Sequence, residues 1–87
     1  PYKTISTSYA LEYGTAAIEI HTDAIKEGEN VLIVDDLLAT GGTACAAAEL
    51  VKQLKGNIIA CVFLTELLFL NGKSKLKDIE VFSILKY

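Results

Sequence analysis

Asp35 and Asp36 stand side by side, and Thr40-Gly41-Gly42-Thr43 follows after a short apolar link. Paired carboxylates accept hydrogen bonds from a polyol, or hold a divalent cation directly or through water. The plainer alternative is that one acid caps a turn and the other is solvated. A buried, unpaired carboxylate is costly, so two in a row after an apolar run point to a ligand. The glycines leave room for that ligand against the backbone and can take positive φ. Successive amides then converge on one point, and a following helix adds its dipole to their attraction for an anion. Thr40 and Thr43 supply hydroxyls. Thr43 would also serve as a helix N-cap, and both roles can hold at once. The stretch has neither the Gly-Lys-Ser/Thr of a Walker loop nor the Gly-x-Gly-x-x-Gly of dinucleotide sites. A monophosphate cradle beside a sugar-binding acid pair specifies a ribose 5-phosphate group.

These residues need a strand before them and a helix after. Val31 to Val34 is a short apolar run of the kind that fills a strand buried on both faces of a parallel sheet. Thr43 to Lys55 reads as a helix, with Ala47, Val51 and Leu54 on one stripe joined by Ala44, Ala48 and Leu50. Gly56-Asn57 is its expected stop. Ile58 to Leu64 is a second buried strand, so 31–64 forms a right-handed βαβ unit. Pro1 to Tyr9 is an extended strand or a mobile loop, and Leu11 to Gly14 a turn. Ala17 to Ile20, running on to Ile25, is a strand. Asn71-Gly72 marks a turn, and Ile79 to Leu85 a last strand. The fold class is α/β with a mostly parallel sheet flanked by helices, and ligands of such sheets bind beyond the carboxyl ends of the strands.

The chain has 87 residues, enough for one small domain or part of a larger one. Its 52% hydrophobic content is high for that size, which predicts apolar surface facing further chain or a partner. The net charge is −3, with eight Lys and no Arg. No basic field favours nucleic acid. Bidentate phosphate clamps usually use Arg, so backbone, metal or groups elsewhere must grip a polyphosphate. Cys45 and Cys61 lack zinc or disulfide spacing and read as buried free thiols in a reducing compartment. No apolar run reaches membrane-span length, and the expectation is a soluble, cytoplasmic protein. His21 reads as structural or surface, and Lys73, Lys75 and Lys77 as a solvated face. Phe63, Leu67, Leu68, Phe69 and Leu70 read as core, with a dimer seam as the second reading.

The run from Asp35 to Thr43, DDLLATGGT, resembles the phosphoribosyl pyrophosphate motif of type I phosphoribosyltransferases. Its Leu37-Leu38-Ala39 filling is similar to that of the adenine-using members. Ser8 to Gly14 is similar to the exit of their catalytic loop. Glu66-Leu67 through Asn71-Gly72-Lys73 to Lys75-Leu76 is similar to their C-terminal region. The resemblance implies that 1–87 is the C-terminal half of a single phosphoribosyltransferase domain. Residues 1–14 would then be the second half of the flexible loop, and 31–56 the phosphoribosyl-binding strand, loop and helix.

That resemblance implies roles. Asp35 and Asp36 would hold the ribose 2′ and 3′ hydroxyls, and Ala39, Thr40, Gly41, Gly42 and Thr43 the 5′-phosphate. Glu12 would exchange a proton with purine N7, and Tyr13 would help close the loop. Taken without the resemblance, Glu12 is an exposed loop carboxylate. Mg²⁺ would be carried mainly by the substrate, with no direct protein ligand and a possible water-mediated link to Asp35 or Asp36. The implied reaction is purine salvage, joining adenine to phosphoribosyl pyrophosphate to give AMP and pyrophosphate. Partners would be those small molecules and a second subunit in a homodimer, with no nucleic acid or membrane. The family's hood over adenine, its pyrophosphate loop and its basic leaving-group residues are not among these residues, so the 87-residue piece alone is expected to be inactive. A non-catalytic sensor of phosphoribosyl pyrophosphate or AMP, and a transferase for another base, are the alternatives.

Overall fold

The computed structural model describes residues 4–11 and 14–87, with side chains placed for 4–8 and 22–87. Strands β1 (Thr4–Leu11) and β2 (Gly14–His21) form an antiparallel pair. A three-stranded parallel sheet follows, built from β3 (Asn30–Leu38), β4 (Asn57–Glu66) and β5 (Val81–Lys86) in the order β3-β4-β5. Helix α1 (Gly42–Gln53) connects β3 to β4. Two short 3-10 turns, Leu68–Leu70 and Gly72–Lys75, lie in the passage from β4 to β5. Both β1 and β2 pack against α1. This is the α/β class expected, with a β-α-β unit at its centre.

The core lies between one sheet face and α1. Leu38, Cys61 and Phe63 from the strands meet Ala44 from the helix and Leu76 from the second 3-10 turn. Phe63 and Cys61 are fully buried. Ala44 and Ala48 share the helix face whose Ala44 meets the sheet cluster, Ala46 borders a cleft with Thr7 and Ser8 of β1, and Leu50 and Val51 are buried towards the helix end. Ala47 and Leu54, expected on the buried stripe, are only half-buried. Val51, Ala44, Ala48 and Leu50 are buried as expected, and Ala46 is buried with Leu50 on the opposite face from Ala44, Ala48 and Val51, so the helix is covered on two sides.

The strands are not buried on both faces. Leu32, Val34, Leu64, Phe82 and Ile84 alternate with the covered residues and are exposed, Val34 to 69%. An apolar run is blind to this difference, because its composition is the same whether one face or two is covered. Leu68 and Phe69 are likewise exposed, at 52% and 77%, and are not part of the core expected there. Of the residues expected as core or dimer seam, Phe63 alone is fully buried.

Element ends also moved. The strand expected to continue to Ile25 ends at His21. The last strand begins at Val81 rather than Ile79, because Asp78 takes φ 65° and Ile79 turns onto the core. Helix α1 closes with Leu54 as C-cap and Lys55 at φ 62°. Gly56 is therefore not the left-handed residue of the stop. Its role is space: a Cβ there would lie 2.8 Å from Val51 Cγ1.

Candidate functional site

Pairing across the sheet carries β3 past the apolar run to Leu38, which registers with Glu66 at the end of β4. Asp35 and Asp36 thus lie inside the strand near its carboxyl end, not just beyond it. Successive side chains of a strand point to opposite faces. Asp35 is half-buried and Asp36 exposed. The Asp36 backbone N–H donates to Asp35 Oδ1 at 2.8 Å, which fixes the Asp35 carboxylate. Asp36 lines the cleft and its side chain makes no hydrogen bond among the described residues, so its carboxylate is available as an acceptor.

The chain then turns through Ala39 and Thr40 into Gly41, at φ 87° and ψ 0°. That left-handed conformation is strained for residues with a Cβ. Gly41 is the helix N-cap, and its carbonyl accepts the Cys45 N–H at 2.9 Å. The expectation that Thr43 caps the helix therefore fails. The helix begins one residue earlier, and Thr43 is an exposed residue of its first turn. Positive φ falls on Gly41 alone of the two glycines. Thr40 Oγ1 accepts the Gly42 N–H at 3.4 Å, bracing the turn from within.

Every residue from Asp35 to Ala44 lines one cleft of about 250 Å³. Its lining includes both acids and the N-terminus of α1, where peptide N–H groups point out of the helix. No Lys borders this cleft among the described residues, so backbone supplies the attraction for an anion. A second cleft adjoins it, lined by Thr7, Ser8, Gly42, Cys45 and Glu49 among others, which sets β1 beside the helix start. Glu12 and Tyr13 lie outside the described residues, and nothing in the structure bears on their roles. His21 is in β2, with its side chain outside the described set.

One contributor escaped the sequence reading. Gly72 is buried and abuts the back of the loop, where a Cβ would strike the Ala39 carbonyl oxygen and lie 3.0 Å from the Gly41 nitrogen. The reciprocal Cβ on Gly41 would strike the Gly72 carbonyl. In the sequence, Asn71-Gly72 signals only a turn, and Asn71 does take φ 50°. The contact with Gly41 leaves no local signature.

Comparison with known proteins agrees with this geometry. Curated relatives named adenine phosphoribosyltransferase include those of Kosmotoga olearia, 60% identical, and Flavobacterium johnsoniae, 59% identical, each over all 87 residues of this chain. The chain spans about half the length of these relatives, 51% in both. The crystal structure of adenine phosphoribosyltransferase from Thermoanaerobacter pseudethanolicus superposes with a TM-score of 0.96 at 53% identity, covering 100% of this chain and 51% of that one. The Saccharomyces cerevisiae enzyme, solved with an imino-altritol bisphosphate and adenine, superposes at 0.92 with 48% identity, covering 97% of this chain and 47% of that one. The model of the phosphoribosyl transferase domain matches residues 3–86, and with the strand, acid pair and glycine loop in place this chain belongs to the phosphoribosyltransferase family.

Proposed function

We propose that the chain supplies the ribose 5-phosphate half of an adenine phosphoribosyltransferase site, which transfers the 5-phosphoribosyl group of phosphoribosyl pyrophosphate to adenine and releases AMP and pyrophosphate in purine salvage. The observation that carries this reading is the single cleft running from the Asp35–Asp36 pair to the Gly41-capped start of α1. Asp35 and Asp36 accept from the ribose 2′ and 3′ hydroxyls. The amides from Ala39 to Thr43 receive the 5′-phosphate. Adenine as the base rests on the relatives' names and on the adenine bound in the yeast structure.

Displacement at the anomeric carbon passes through a cationic sugar. The chain's part is to hold ribose and phosphate rigid while the base approaches, which converts binding into proximity. Glu12 exchanges a proton with the base, and Tyr13 helps the segment 1–14 close and exclude water. Mg²⁺ fits the donor set. Among the described residues no group of three or more His, Cys, Asp or Glu converges. Mg²⁺ typically keeps waters and takes one or two carboxylates plus substrate phosphates. Asp35 or Asp36 would reach such an ion through water. When bound, the ion neutralises charge on the departing pyrophosphate. Among the described residues no helix is long and apolar enough to cross a membrane, and the free thiols of Cys45 and Cys61 support a cytoplasmic setting. A homodimer of the longer protein completes the reading.

The test joins this chain to the preceding half of the Thermoanaerobacter relative and assays adenine, hypoxanthine and guanine with phosphoribosyl pyrophosphate. AMP formation from adenine by the joined protein, and none by the 87-residue chain alone, supports the reading. Transfer to another base in preference, or none with any, overturns it.

A further inference from the structure

The loop that receives the phosphate is braced from behind by a segment that never enters the cleft. At its entry, the Leu67 N–H donates to the Leu38 carbonyl at 2.9 Å. At its middle, Gly72 lies so close to Ala39 and Gly41 that neither glycine has room for a Cβ. At its exit, Leu76, 2% exposed, packs with Leu38 and Ala44. The segment is itself tied down: the Asn71 N–H donates to Leu68 O at 3.0 Å, Ser74 Oγ to Asn71 O at 2.7 Å, and the Leu76 N–H to Lys73 O at 3.0 Å. None of residues 67–76 lines the cleft.

We infer that Gly72 is a positioning residue for phosphate binding, acting through Gly41 and resting on the assignment of 39–43 as the phosphate loop. Amides bind an anion tightly only when they already converge on it, and glycine has the most conformational freedom to lose. A loop made of Gly41 and Gly42 cannot hold that geometry alone. The Gly72 backbone supplies the wall that Gly41 presses against. Adding one methyl at Gly72 pushes on a carbonyl and an amide of the loop, neither of which yields as a flexible side chain would.

The experiment titrates the joined protein described above with ribose 5-phosphate and with inorganic phosphate, by calorimetry well below the melting temperature. It compares wild type, Gly72→Ala and Gly28→Ala. Gly28 serves as the control for a general backbone effect, since it has φ 79° in a remote turn and no atom within 4 Å of an added Cβ. Wild type and Gly28→Ala are expected to bind alike, and folded Gly72→Ala at least about tenfold more weakly, a change of about 1.4 kcal/mol. Equal affinity in folded Gly72→Ala overturns the inference while leaving the phosphate loop intact. Absence of binding by wild type overturns the loop assignment and this inference with it. If Gly72→Ala does not fold, amide exchange in the wild type decides. Ribose 5-phosphate is expected to slow exchange at Ser74 and Leu76 as well as in the loop, and unchanged exchange there at saturation overturns the inference.

Discussion

The Asp35 carboxylate receives its neighbour's backbone N–H, from Asp36, at 2.8 Å. One oxygen of Asp35 is thereby committed to local structure, whereas the exposed Asp36 carboxylate is free for a ligand among the described residues. The acids are therefore unequal. Asp36→Asn removes the charge of an unengaged carboxylate and is expected to weaken ribose 5-phosphate binding by about 1.5–3 kcal/mol, the range for hydrogen bonds to charged groups. Asp35→Asn keeps an amide oxygen for the Asp36 N–H and is expected to cost less than Asp35→Ala. Inorganic phosphate binding should be nearly unchanged in Asp36→Asn. Parallel titrations with the two ligands check this ordering.

Gly41→Ala meets two obstacles at once, a left-handed φ of 87° and the Gly72 carbonyl. Strain of this kind costs on the order of 1–3 kcal/mol. The expected outcome is a lowered melting temperature together with loss of phosphate binding. Gly28→Ala shares the φ penalty without the collision and is expected to lose stability only. Thermal melts with and without ribose 5-phosphate separate the two.

Burial raises the pKa of the Cys61 thiol above its ordinary value of 9.0. The folded chain therefore retains a proton that the unfolded chain releases. The stabilisation is complete below pH 9.0 and is lost as pH rises through the folded value. Wild type is expected to lose stability above that pH more steeply than Cys61→Ala, by at most about 1.4 kcal/mol per pH unit. Denaturant melts from pH 8 to 10.5 measure the difference. In the native chain at pH 8, a thiol reagent is expected to label half-buried Cys45 well before fully buried Cys61.

The segment from Val31 to Lys55 was legible in the sequence because its information is local. An apolar run, an acid pair, a Gly-Gly step and a helical stripe each act over a few residues. What was not legible is set by partners far along the chain. β3 reaches Leu38 because β4 offers Glu66 to pair with it. Gly41, not Thr43, is the N-cap because the left-handed turn there starts the helix, and Gly72, which abuts that turn, lies far along the chain. The exposure of Leu32 and Val34 follows from what covers a sheet face, which no residue in the strand encodes.

Glu12 is proposed as the acid/base of the transfer. In the joined protein described above, Glu12→Gln keeps size and hydrogen bonding but cannot carry the proton. Turnover with adenine is expected to fall roughly 10²-fold or more, with phosphoribosyl pyrophosphate affinity nearly unchanged. Steady-state kinetics with both substrates varied, alongside direct binding, provide the check, and unchanged turnover removes Glu12 from the mechanism.

The central claim is that one cleft, from Asp35 to Ala44, takes ribose at its acidic end and phosphate at the helix start. The most direct measurement is an amide NMR titration of the chain with AMP, ribose 5-phosphate and inorganic phosphate. All three are expected to shift the amides of Ala39 to Ala44, and only the two sugar-bearing ligands those of Asp35 and Asp36. Shifts centred elsewhere, or no change at 39–44 at millimolar AMP, would contradict it.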